Sequence, residues 1–269
     1  MIYEKKEIPV GDLGSVVLTA YCADLNEEID PLRRRPAAVI CPGGGYAYRS
    51  FREAEPIALQ MIARGINAFI VDYHVAPDRY PRPQQDAAAA MAYVRAHAEE
   101  YRIDPRRVAL MGFSAGGHLA ASLGVLGEKD EIFSPLNLTW EKVRPDLLVL
   151  CYPVITGGVY AHRGSFENLT GETDLAKHDA LSLEKYVSAC TPETFIWHTW
   201  ADGAVPVQNS LLFASALAEN HVRTELHIYP DGGHGLSLGT KETARGPEQI
   251  QEEVTEWVDL AARFIKGKE

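Results

Sequence analysis

Six short apolar runs, set at intervals along the chain, constrain its fold more than any other feature. They are "AAVIC" (37–41), "NAFIVDY" (67–73), "RVALMGF" (107–113), "DLLVLCY" (146–152), "TFIWHTW" (194–200) and "TELHIYP" (224–230). Nearly continuous apolar stretches of this length suit strands buried on both faces of a sheet. Between them lie segments with apolar residues at helical spacing, at 56–65, 83–102, 115–127, 207–220 and 247–267. Strand alternating with helix predicts right-handed crossovers, and so a mostly parallel central sheet with helices on both faces. An earlier run, "SVVLTAY" (15–21), alternates apolar with polar and reads as a half-exposed strand.

No repeat, low-complexity tract or linker interrupts the pattern, which predicts a single α/β domain over residues 1–269. One stretch breaks the rhythm. Residues 154–192 carry no strong strand and are rich in Gly, His, Thr and acidic groups, too long a span for a plain connection. The expectation there is an inserted cap or lid over the sheet, with short helices near "AKHDALSLEKYVSA".

The chain has 26 Lys and Arg against 37 Asp and Glu, a net charge of −11 that disfavours nucleic acid or an anionic membrane as partner. Its amino-terminal stretch has no apolar run long enough for a signal peptide or a membrane span. Cys22, Cys41, Cys151 and Cys190 lie far apart without a CxxC pair. Nothing resembles a disulfide frame or a zinc knuckle, so the expected setting is reducing and cytoplasmic.

The chemistry starts at "RVALMGFSAGGHLAASLG" (107–124), where a serine stands between two glycines at the junction of a strand and a helix. Gly112-Phe113-Ser114-Ala115-Gly116 fits G-x-S-x-G, a sharp turn that lifts the Ser114 hydroxyl off the strand end toward the positive end of a helix. Such a hydroxyl is a weak nucleophile and needs a base, an orienting acid and an anion site. "AVICPGGGYAYRS" offers the anion site, since consecutive glycines after a buried strand leave bare backbone amides. Gly44 and Gly45, with the amide of Ala115, are the candidate donors, and the choice among Gly43, Gly44 and Gly45 stays open. Neither a Walker loop nor a G-x-G-x-x-G fingerprint is present. "WHTWADGAVPVQNS" offers Asp202 as the acid and "YPDGGHGLSLG" offers His234 as the base, with Asp231 as a rival acid. The order Ser, Asp, His, each at the end of a successive strand, is the order of one hydrolase class and not of the chymotrypsin or subtilisin classes.

Taken together, "CPGGGY", "REAEP", "GFSAGGHLAA", "HTWADGAVPVQNS" and "GGHGLSL" resemble the α/β-hydrolase esterases of the acetyl-xylan and bifunctional feruloyl/acetyl esterase type, from about residue 36 onward. The resemblance implies an α/β-hydrolase fold and a serine esterase that removes acetyl groups from sugars without a metal or other cofactor. Its substrate would be a small-molecule or oligosaccharide ester, with no nucleic-acid or membrane partner and a homo-oligomer left open. One departure is Pro42, where broader esterase families carry His ahead of the glycines. The resemblance is also the main support for Glu53 and Glu55 bracing the glycine loop. Tyr46 and Trp200 are candidates to stack on a sugar, or else to cover the core edge. Asp72, His74, His118 and His198 match no ligand spacing and read as satisfied polar residues rather than a metal site. The rival readings are an arylformamidase-like or amidase activity, a peptidase, and a binding protein on the same fold that has lost its chemistry.

Overall fold

The computed structural model describes residues 1–24 and 28–267. Eight strands form one sheet: β1 (Ile2–Pro9), β2 (Ser15–Cys22), β3 (Arg35–Cys41), β4 (Asn67–Val71), β5 (Ile103–Phe113), β6 (Leu147–Cys151), β7 (Glu193–Thr199) and β8 (Thr224–Tyr229). Their spatial order is β1-β2-β4-β3-β5-β6-β7-β8. From β4 to β8 every pairing is parallel, whereas β1 and β2 join antiparallel at one edge. The helices are α1 (Glu55–Ala63), α2 (Arg82–Ala96), α3 (Ala115–Val125), α4 (Asp130–Phe133), α5 (Trp140–Val143), α6 (Arg163–Thr170), α7 (Leu175–Asp179), α8 (Gln208–Glu219) and α9 (Trp257–Lys266). The sheet and its flanking helices make this an α/β-hydrolase fold.

Period-two alternation explains why the inner strands are apolar throughout. On β5, Val108 and Leu110 face a core shared with α2, α3 and α8. Ala109, Met111 and Phe113 face the opposite core, shared with α1 and α9. A strand buried on both sides has no position for a polar residue.

Departures from the sequence reading include β1 and the last helix. β1 is a strand that the apolar-run criterion passes over, because in "IYEKKEIP" only Ile8 is fully buried and Tyr3, Lys5 and Glu7 face solvent. It is an edge strand, paired residue for residue with β2 from Ile2–Cys22 to Pro9–Ser15. The last helix is shorter than the predicted 247–267. Single 3₁₀ turns at Pro247–Gln249 and Glu252–Val254 precede α9. Only from Trp257 onward do apolar residues recur at helical spacing, with Trp257, Val258, Ala261, Ala262 and Ile265 buried against the sheet.

Residues 154–192 contribute α6, α7 and a 3₁₀ turn at Leu183–Tyr186. The segment is stitched to the carboxyl rim of the sheet. Asn168 Nδ2 donates to the Gly45 carbonyl (2.9 Å), and the Leu169 carbonyl accepts the Tyr80 amide (2.7 Å).

Candidate active site

Ser114 sits at the junction of β5 and α3 with φ 53° and ψ −119°, a conformation that costs energy for a residue bearing a Cβ. Two close approaches hold the turn. A Cβ on Gly112 would lie 2.0 Å from the Gly116 carbonyl oxygen, and one on Gly116 would lie 2.1 Å from that of Cys41. No other residue fits at either position without moving backbone, which answers why glycines flank this serine. The Ser114 amide is tied to the Cys151 carbonyl (3.0 Å), and its own carbonyl accepts the amides of Gly117 and His118.

Ser114 Oγ lies 2.7 Å from Nε2 of His234, and Nδ1 of His234 lies 2.6 Å from Oδ2 of Asp202. The carboxylate can only accept, so Nδ1 carries the proton and Nε2 is free to receive one from Ser114. Asp202 Oδ1 takes the amides of Ala204 and Val205, each at 2.9 Å. Oδ2 also faces His198 Nε2 at 3.2 Å. That nitrogen lies 3.0 Å from the Val205 carbonyl too, so it must be the protonated one, with Nδ1 set to accept from Ser210 Oγ (2.8 Å). Burial alone would raise the Asp202 carboxyl, but hydrogen bonds from His198 and His234 outweigh it and hold the group well below the usual carboxylate range. Asp231 is exposed, and it is Asp202 that accepts the His234 Nδ1–H.

On the other side of Ser114 the glycine loop is held by Glu53, which is 3% exposed. Its Oε2 accepts the Gly43 amide (2.9 Å) and its Oε1 accepts the Tyr152 hydroxyl (2.6 Å). The Tyr152 oxygen in turn accepts the Ser237 amide (3.0 Å), and its ring stands edge-on to His234. The Gly43 amide is therefore committed. Those of Gly44, Gly45 and Ala115 have no hydrogen-bond partner among the described residues. Glu55, paired with Glu53 in the sequence reading, instead accepts from the Tyr21 hydroxyl (2.9 Å) and does not reach the loop.

The cleft above Ser114 has a volume of about 390 Å³ and is lined by Gly44, Gly45, Tyr48, His162, Asn168 and His234, among others. Tyr46 and Trp200, the sequence candidates for stacking on substrate, do not line it. Tyr46 is 1% exposed beneath the loop, its hydroxyl 3.0 Å from His118 Nδ1. Trp200 continues the β7–β8 ladder through its amide to the Tyr229 carbonyl, and the residue is 64% exposed. His162 is a cleft residue that the sequence reading passed over. Its Nδ1 accepts the Ser165 amide at the start of α6 (3.3 Å), leaving Nε2 as the protonated edge of a neutral ring. Burial first, and then the nearby His234, push its pKa down. The available signal was a histidine just ahead of a short helix inside the unusual 154–192 segment. Among the described residues no group of three or more His, Cys, Asp or Glu side chains is arranged to hold a metal ion.

A mostly parallel sheet whose central strand β5 ends in this serine turn, with an acid beyond β7 and a histidine beyond β8, is the architecture of the α/β-hydrolases. Within that class the chain belongs to the BD-FAE family, whose model matches residues 29–217, including Ser114 and Asp202 but not His234. It is 36% identical to endo-1,4-beta-xylanase B of Butyrivibrio fibrisolvens over 218 residues, which is 79% of this chain and 34% of the xylanase. It is 32% identical to the acetylxylan esterase of Xylanibacter ruminicola, over 76% of this chain and 42% of that protein. The chain thus spans about a third to two fifths of the length of these two relatives. Its fold is similar to the acetyl ester-xyloside bifunctional hydrolase of Caldicellulosiruptor lactoaceticus, with TM-score 0.83 and 36% identity across 98% of this chain and 96% of the other.

Proposed function

We propose that this chain is a serine esterase that removes short acyl groups, acetyl foremost, from xylo-oligosaccharides or related sugars. The observation that carries the reading is the continuous path from Ser114 Oγ to His234 (2.7 Å) to Asp202 (2.6 Å), with the amides of Gly44, Gly45 and Ala115 left without a partner among the described residues. His234 Nε2 takes the hydroxyl proton as Ser114 Oγ attacks the ester carbonyl carbon. The carbonyl oxygen gains negative charge and is met by the amides of Gly44, Gly45 and Ala115, where each such donor typically contributes about 10²–10³ in rate. As the tetrahedral intermediate collapses, His234 returns the proton to the departing sugar oxygen, leaving an acyl group on Ser114. Water then repeats the two steps and frees the acid. Asp202 fixes the His234 tautomer throughout and balances the imidazolium, its own charge secured by its buried donors. In this reading the chain works as one domain with 154–192 as a cap, which the presence of His162 and Asn168 in the cleft lining supports.

Ser114→Ala is the direct test. The variant should fold as the parent does, lose labelling by a fluorophosphonate probe, and lose at least about 10⁴ of the kcat on p-nitrophenyl acetate. Undiminished turnover in that variant would end the assignment. Comparing acetylated xylo-oligosaccharide with N-formylkynurenine and peptide amides decides between esterase and amidase chemistry.

A further inference from the structure

A second cavity, of about 560 Å³, lies on the far side of the glycine loop from Ser114. Ala47, Tyr48 and Ser50 line both it and the catalytic cleft, so one short stretch of loop is the partition between the two. Its floor is one face of the antiparallel edge of the sheet. The register sets Tyr3 beside Tyr21 and Lys5 beside Thr19, with Ile70 next to Thr19 on β4. Its rim is aromatic. Tyr3 and Tyr48 are about half exposed, and Phe51 is 89% exposed, an unusual placement for a phenylalanine that covers no core.

Two polar groups of this floor are unspent. The Thr19 hydroxyl, on a residue that is 8% exposed, has no hydrogen-bond partner among the described residues. The neighbouring Lys5 ammonium likewise has neither hydrogen bond nor ion pair among them. Tyr21, by contrast, is satisfied by Glu55. A purely apolar occupant would leave the hydroxyl of Thr19 desolvated at a cost. An occupant with flat C–H faces and hydroxyls around its edge would stack on the exposed rings and meet both donors, and a pyranose has that form.

We propose that this groove is a carbohydrate subsite, holding the oligosaccharide portion of a substrate whose acyl group lies at Ser114 across the loop. The proposal rests on the esterase reading for its link to Ser114, and it deepens that reading by extending recognition from the acyl group to the sugar chain. Tyr48 lines both spaces, together with Ala47 and Ser50, so a chain passing from one to the other crosses this stretch.

The experiment has two arms. In the first, unacetylated xylotetraose is titrated into the Ser114→Ala protein by calorimetry, alone and with Tyr3→Ala, Phe51→Ala or Thr19→Val added. Affinity should fall roughly three- to ten-fold for each ring removed. No measurable binding, or equal binding in all four proteins, overturns the subsite. In the second arm, kcat/KM on acetylated xylo-oligosaccharide is divided by that on p-nitrophenyl acetate. The quotient should drop with Phe51→Ala and Tyr3→Ala, and a constant quotient overturns the proposal. A dimer that both substitutions dissociate would assign the face to a second copy and count against a sugar. The two readings fail separately. Absent fluorophosphonate labelling of Ser114 sinks the esterase while the calorimetric arm still decides the groove.

Discussion

Ser114 stands between two buried carboxylates, and they are built in opposite ways. Asp202, on the acid–base side, gathers its donors from one short stretch and one neighbour: the amides of Ala204 and Val205, His198 four residues back, and His234. It is a local nest around a single charge, and its output is the orientation of one imidazole. Glu53, on the glycine-loop side, takes the Gly43 amide and the Tyr152 hydroxyl. Those groups come from the ends of β3 and β6, and through Tyr152 the network reaches Ser237 in the histidine loop. Its output is the relative position of three loops. The contrast teaches that similar burial of a carboxylate can serve two ends: Asp202 shapes the chemistry of one side chain, Glu53 the shape of the site.

That division can be broken by substitution. Asp202→Asn keeps the size of the side chain and removes the charge that fixes the His234 tautomer. The expected loss in kcat is about 10⁴, with the fold intact by circular dichroism. A loss below about ten-fold would mean that another acid orients the ring. Glu53→Ala should cost less, about 10 to 10² in kcat, because it loosens the loop that carries the proposed donors without removing one. KM should change little, since both carboxylate oxygens are engaged by Gly43 and Tyr152. Glu53→Gln should recover part of the rate, because its amide oxygen can still accept the Gly43 N–H. If Glu53→Ala matched Asp202→Asn, or Gln gave no rescue, the proposed difference between the two carboxylates would fall.

How much of this was legible in the sequence follows the same division. The inner strands declared themselves because burial on both faces forces unbroken apolar runs, and the serine turn declared itself because close backbone contacts forbid a Cβ at Gly112 and Gly116. The approach of Asp202 and His234 was readable only as chain order, and the structure supplies the distances. Contacts across the chain were far less visible. Nothing local marks Tyr152 as the partner of Glu53, for the two residues are 99 positions apart. Edge strand β1 escaped because half of it faces water and its pattern is mostly polar. Tyr46 stays open between substrate and core in the sequence for a related reason. An aromatic beside a glycine loop can turn up into the cleft or down into the core, and only the presence of His118 beneath it decides which.

That His118 contact carries the smallest expected effect, one on stability more than rate. The ring is buried in α3, and burial pushes its pKa down to about 4. Both nitrogens are engaged as a neutral imidazole requires, Nε2–H donating to the Leu181 carbonyl (3.0 Å) and Nδ1 accepting from Tyr46. In the unfolded chain the same histidine titrates near about 6.5. Below that value the unfolded state takes up a proton that the native state refuses, so stability falls as pH drops from about 6.5 to about 4 and is flat beyond. Between pH 7 and pH 5 this ring alone should account for a loss of about 2 kcal/mol. His118→Gln retains a donor and an acceptor but cannot titrate. In urea unfolding it should therefore show a pH 7-to-5 decline smaller than the parent's by about that amount. An equal decline in both proteins would mean that the buried ring is not held neutral. A fall in kcat at pH 7 as large as that of Glu53→Ala would show something different: that the glycine side of Ser114 hangs on Tyr46 and His118 as much as on its carboxylate.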